Sequence, residues 1–104
     1  LEAEVLHSEL PVVMDFYAPW CGPCRVLTPA LERLAVEFAG QIKFVKVNVD
    51  HFPELAAEFG VTGVPTLVLA KDGVFVDEFV GLMPLALLRH KFQHLVELVP
   101  AVER

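Results

Sequence analysis

The sequence predicts an α/β fold, a central mixed β-sheet flanked by helices. Three observations carry this reading. Apolar, β-branched runs at residues 12–18, 42–49 and 66–70 alternate along the chain with stretches of helical periodicity. Lys71-Asp72-Gly73 supplies hairpin turn chemistry between residues 66–70 and 74–80, so at least one strand pair is antiparallel. At 104 residues the chain is long enough for one core and not two, and residues 1–104 read as a single domain.

Residues 1–9 place Leu1, Val5 and Leu6 on one helical face and stop at Pro11, which predicts a short helix. Residues 12–18 form a buried strand in which one carboxylate, Asp15, is embedded. From Gly22 to Phe38 the apolar positions Val26, Leu27, Ala30, Leu31, Leu34 and Phe38 recur at helical spacing, with Pro29 interrupting the hydrogen-bond ladder, so a long, kinked helix is expected. Ile42 to Val49 alternates as a strand, and residues 52–59 are helical with Gly60 as the stop. Residues 66–70 and 74–80 make the hairpin. Pro84 then opens an amphipathic helix carrying Leu85, Leu88, Phe92, Leu95 and Val99, expected to run on through Leu98 and Pro100 toward Arg104.

The two cysteines of the chain stand three positions apart in Trp20-Cys21-Gly22-Pro23-Cys24, at the start of the long helix. That spacing puts them on neighbouring corners of the first turn, where a reversible disulfide is sterically available. Unpaired amides and the positive end of the helix dipole face Cys21 and favour its thiolate, which makes it the nucleophile. Cys24, one turn further in, is expected to be the more shielded and to act as the resolving thiol. The same spacing occurs in half of a structural zinc site, but only His7, His51, His90 and His94 could complete it, and His90 and His94 lie too far along the chain for a zinc module. His90 and His94 also lack the glutamate of a zinc-hydrolase helix and read as imidazoles on a solvated face. A pair of buried packing cysteines would not need Gly22 and Pro23 between them.

Composition narrows the partners. A net charge of -6 without a basic cluster opposes nucleic acid and anionic lipid. Hydrophobic residues make up 55% of the chain, and mean hydropathy is +0.54, yet no charge-free stretch is long enough to span a bilayer. With no spare cysteine and no secretory h-region, a cytoplasmic location is expected. The chain starts at Leu1 rather than at a methionine, which suggests processing or trimming.

Trp20-Cys21-Gly22-Pro23-Cys24 resembles the active-site motif of the thioredoxins. Around it, Asp15-Phe16-Tyr17-Ala18-Pro19, Pro29, Lys46-Val47-Asn48-Val49-Asp50, Gly63-Val64-Pro65-Thr66, Lys71-Asp72-Gly73 and Gly81 fall in thioredoxin order across nearly the whole chain. Pro19, Arg25 and Leu10-Pro11-Val12-Val13 are similar to bacterial thioredoxins with a zinc-binding N-terminal extension, and residues 79–84 to thioredoxin domains fused to helical-repeat chaperones. The resemblance implies a protein-disulfide reductase whose dithiol is its own cofactor, with disulfide-containing protein substrates and a thioredoxin reductase as partners. It implies that Asp15 takes the proton of Cys24 through a water, with Lys46 nearby; a structural Asp15–Lys46 ion pair is the alternative reading. It further implies that Val64-Pro65 is cis, although X-Pro bonds are mostly trans, and that the Val64 backbone pairs with an extended substrate. Trp20, Gly22, Pro23, Gly63, Val64 and Gly81 would form a partly apolar rim around Cys21. Tyr17 stands where many thioredoxins carry tryptophan and keeps an aromatic wall there.

The thioredoxin pattern also places a strand before the first helix, paired with residues 42–49. Residues 1–9 read as lying inside that helix, so the expectation is that the edge strand is missing and the Ile42 to Val49 edge open. The expected consequences are a homodimer through that edge, a swapped element or lower stability, unless Lys43 and Lys46 discourage pairing. Two other functions compete with the reductase. Oxidases and isomerases of this fold commonly carry His before the second cysteine, where this chain has Pro23. A chaperone or docking module would hold unfolded clients on the apolar rim.

Overall fold

The computed structural model describes Glu4, Val5 and residues 7–99. Its elements run β1 (Val12–Tyr17), α1 (Gly22–Glu37), β2 (Lys43–Asn48), α2 (Pro53–Glu58), β3 (Thr66–Lys71), β4 (Val74–Val80) and α3 (Leu85–Glu97). The strands form one four-stranded sheet in the order β2-β1-β3-β4. β1 runs parallel to β2 and antiparallel to β3, and β3 pairs antiparallel with β4, so the sheet is mixed as expected.

Side-chain alternation along β1 divides the core into two layers. Val12, Met14 and Phe16 turn toward Val47, Ala56 and Val68 on the face covered by α2, where Val5 is also buried. Val13 turns the other way, against Leu27, Leu31 and Leu34 of α1 and Leu88, Phe92 and Leu95 of α3. Phe92 is fully buried there, with the rings of Phe38 and Phe44 edge-on at 6.0 and 5.6 Å. The period of two therefore sends Asp15, two residues after Val13, beneath α1. One strand thus supplies a packed face and a buried carboxylate.

The hairpin is a two-residue turn with both central residues at positive φ, Asp72 at 54° and Gly73 at 74°, as a type I′ turn requires. Pro29 lies within α1 without ending it. The last helix is shorter than its apolar pattern suggests. It stops at Glu97, and Leu98 is extended at φ -61° and ψ 127°. The physical reason is a cap: the Lys71 ammonium donates to the Val96 carbonyl at 2.9 Å and to that of Leu98. The expected continuation over residues 100–104 lies outside the described residues. So do residues 1–3 and 6 of the first predicted helix, in which Glu4 and Val5 are helical.

Among the described residues β2 has a sheet partner on one side only. Lys43 and Val49 donate their amides to Pro11 and Tyr17, so the two-residue period directs the backbone groups of Phe44, Lys46 and Asn48 outward. The Asn48 carbonyl is taken up locally by the amides of His51 and Phe52.

Candidate active site

The chain leaves β1 through a tight turn in which the Cys21 amide donates to the Ala18 carbonyl at 3.1 Å. Cys21 is the N-cap of α1: its backbone is extended, and its sulfur accepts the Cys24 amide at 3.2 Å. Pro23 sits in the first turn, where its missing N–H costs nothing. Cys21 and Cys24 are joined in a disulfide with Cα atoms 5.3 Å apart. The expected difference in shielding is not found. As whole residues they are 4% and 5% exposed, because both pack with Ala18, Tyr17, Val49 and Val64. What distinguishes them is the helix end, since the Cys21 sulfur alone receives an amide of the first turn.

Beneath α1, Asp15 is 8% exposed, and its Oδ1 is buried without a protein partner. Burial pushes its carboxyl up from 3.8 to about 6, and the positive charge of Lys46, its register neighbour on β2, opposes the rise. Among the described residues no ion pair joins the two. The Lys46 ammonium lies 4.5 Å above the Tyr17 ring instead, a cation–π contact.

Three loops converge beside the disulfide. Val64-Pro65 is a cis peptide, with Val64 against the cysteine cluster. Thr66 Oγ1 donates to the Gly63 carbonyl at 2.6 Å, and the Gly81 amide to the Pro65 carbonyl at 2.9 Å, tying the end of β4 to this loop. Gly81 has φ 89°, a conformation that favours glycine. Trp20 is 66% exposed, and its indole N–H donates to Asp50 at 3.0 Å. Asp50 is held in turn by a bond from its own amide to Asn48 Oδ1 at 2.9 Å. An apolar depression of about 190 Å³ lies between Trp20 and residues 61–64, with Val49 and Ala56 at its floor. Gly22 and Pro23 are exposed beside Cys21. The sequence-predicted residues Cys21, Cys24, Asp15, Lys46, Trp20, Gly22, Pro23, Gly63, Val64, Pro65 and Gly81 thus fall on the adjoining ends of β1, β2 and β4, the start of α1 and the loop before β3. Sequence reasoning missed Asp50 and Thr66; an acid two residues after Asn48 was the available signal for Asp50.

A disulfide capping a helix at the end of an inner strand, with a buried carboxylate under that helix, defines a dithiol–disulfide exchange protein. The thioredoxin family profile matches residues 1–94. Thioredoxin 1 of Synechococcus elongatus is 48% identical over 78% of this chain and 76% of its own length. A thioredoxin of Haemophilus influenzae is 49% identical over 80% and 78%. The solved structure of a mutant thioredoxin from Halobacterium salinarum superposes with a TM-score of 0.81 at 44% identity, covering 91% of this chain and 83% of that one. The chain belongs to the thioredoxin family and is a thiol-disulfide oxidoreductase. Family membership brings disulfide-containing protein substrates and a thioredoxin reductase as the general partners. No helix among the described residues is long and apolar enough to cross a membrane.

Proposed function

We propose that this chain, as one domain, reduces protein disulfides in two steps, with Cys21 as attacking and Cys24 as resolving thiol. The observation that carries the assignment is the hydrogen bond that the Cys24 amide donates to the Cys21 sulfur, a donor already aimed at the atom that must hold negative charge. Cys21 thiolate attacks a substrate disulfide and forms a mixed disulfide. Asp15, its affinity for a proton raised by burial, accepts the Cys24 proton through a water, and Lys46 limits that rise. Cys24 thiolate then expels the substrate thiol. Trp20, Gly22, Pro23, Gly63, Val64, Pro65 and Gly81 form the docking rim, with the Val64 backbone pairing with an extended segment. The depression beside Trp20 supports an apolar residue near the substrate cysteine.

The deciding experiment is turnover of insulin's inter-chain disulfides with a dithiol reductant. Fast reduction lost in Cys21→Ser supports the reading, and no reduction by the folded wild-type chain overturns it. A reducing compartment, the cytoplasm, suits a chain whose two cysteines are both committed to the redox pair. The outward backbone groups of Phe44 and Lys46 support pairing of two copies through β2. Sedimentation over a wide concentration range tests this, and a monomer throughout refutes it.

A further inference from the structure

A cavity of about 110 Å³ opens between α1 and β2, with Asp15, Thr28, Glu32, Phe44 and Lys46 among its walls. That is more than the roughly 15 Å³ of such space that one water requires. Leu31, Ala35, Phe44 and Val45 make its lining mostly apolar, with polar groups at Asp15, Thr28, Glu32 and Lys46. The partnerless Asp15 Oδ1 is more than nine-tenths buried. Thr28 Oγ1 gives its proton to the Cys24 carbonyl at 2.9 Å, which leaves the hydroxyl lone pairs free to accept from water. Glu32 and Lys46 are exposed on the two walls. The charged or titratable groups around Asp15 are Lys46 on β2, Tyr17 two residues along β1, and Glu32 on α1; β3 opposes it with apolar Leu67.

A buried acid that takes a proton in each turnover must also lose it, and a docked substrate covers the sulfur side of the site. We propose that the cavity between α1 and β2 is the proton exit of the redox centre, with Thr28 positioning its water against Asp15 and Glu32 passing the proton to solvent. This rests on the role given to Asp15 above. In the resolving step the Cys24 S–H proton goes to the Asp15 carboxylate. The Cys24 thiolate attacks Cys21 of the mixed disulfide, the Cys21–Cys24 bond forms, and the bond from Cys21 to substrate sulfur breaks. The substrate leaves as a thiolate that is protonated from solvent, and two electrons have passed from the protein to the substrate. Asp15 then returns to its carboxylate by releasing the proton through the cavity water to Glu32.

The test is single-turnover reduction of an inter-chain disulfide by the pre-reduced full chain between pH 5.5 and 8.5 in weak buffer, with an indicator dye following proton release to solvent beside the resolving step, for wild type, Thr28→Val, Thr28→Ser, Glu32→Gln and Asp15→Asn. Thr28→Val should slow the proton release that follows the resolving step about fivefold near pH 7, the effect of one ordinary hydrogen bond. Thr28→Ser should restore it. Glu32→Gln, at an exposed position that does not hold the fold together, should slow the release about twofold to threefold. If Asp15→Asn slows the resolving step while Thr28→Val and Glu32→Gln release the proton as fast as wild type, the exit is elsewhere and the role of Asp15 stands. If Thr28→Ser is as slow as Thr28→Val, packing explains the loss and the proposal fails. If Asp15→Asn is as fast as wild type, the role of Asp15 and the exit fall together.

Discussion

Replacing Asp15 by asparagine should stabilise the oxidised protein, and by an amount that grows with pH. Burial holds the folded-state carboxyl at about 6, against 3.8 without perturbation. Between those values the folded protein binds more protons than the unfolded one, so stability falls as pH rises. The contribution is full below 3.8 and is lost as pH passes through about 6. At about 1.4 kcal/mol per pH unit, the ionised carboxylate costs the fold about 3 kcal/mol near pH 8. Asparagine is close in shape to the protonated acid, so the two proteins should be equally stable near pH 3.5 and diverge above it. Urea unfolding of both at a series of pH values measures this. A gap of about 3 kcal/mol corresponds to a midpoint difference of about 1–3 M at unchanged slope. Stability curves that run parallel across the whole range would show that the carboxyl is not raised, and the proton-acceptor argument would lose its basis.

Other expectations follow from single contacts. Asp50→Ala frees the indole of the chain's one tryptophan. It should lower kcat/KM for a protein disulfide several-fold and shift Trp20 fluorescence, while costing less than about 1 kcal/mol at this exposed site. Lys71→Met removes the donor from the carbonyls of Val96 and Leu98. Calorimetry should find about 2 kcal/mol lost, the scale of hydrogen bonds from a charged group, with activity retained. Gly73→Ala places a side chain at φ 74° in the hairpin turn and should cost about 1 kcal/mol in a urea titration.

Much of this architecture is legible in the residues because local preference and global packing agree. Val12, Met14 and Phe16 read as a strand and are one. The bounds of α1 and α2 differ from their apolar patterns only at Phe38, Phe52 and Phe59, which cap helices rather than extend them. Local preference and tertiary context part company at Leu98, where the apolar stripe continues but Lys71, distant in sequence, ends the helix. The Val64-Pro65 bond is a similar case: local rules favour trans, and the resemblance to thioredoxins overrode them. Within the site, Cys21, Cys24 and Asp15 announce themselves as a reactive pair and a misplaced charge. Asp50 and Thr28 do not, because an exposed acid and a helical threonine look ordinary until the fold puts one against Trp20 and the other beside a cavity.

The sulfur that ends α1 belongs to a residue whose chemical state changes with every turnover. A sulfur locked in a disulfide is a weak acceptor for the Cys24 amide, whereas a thiolate is a strong one. Loading the protein with electrons therefore tightens the first turn of its central helix, and unloading loosens it. The grip of that turn follows the redox state of the Cys21–Cys24 pair.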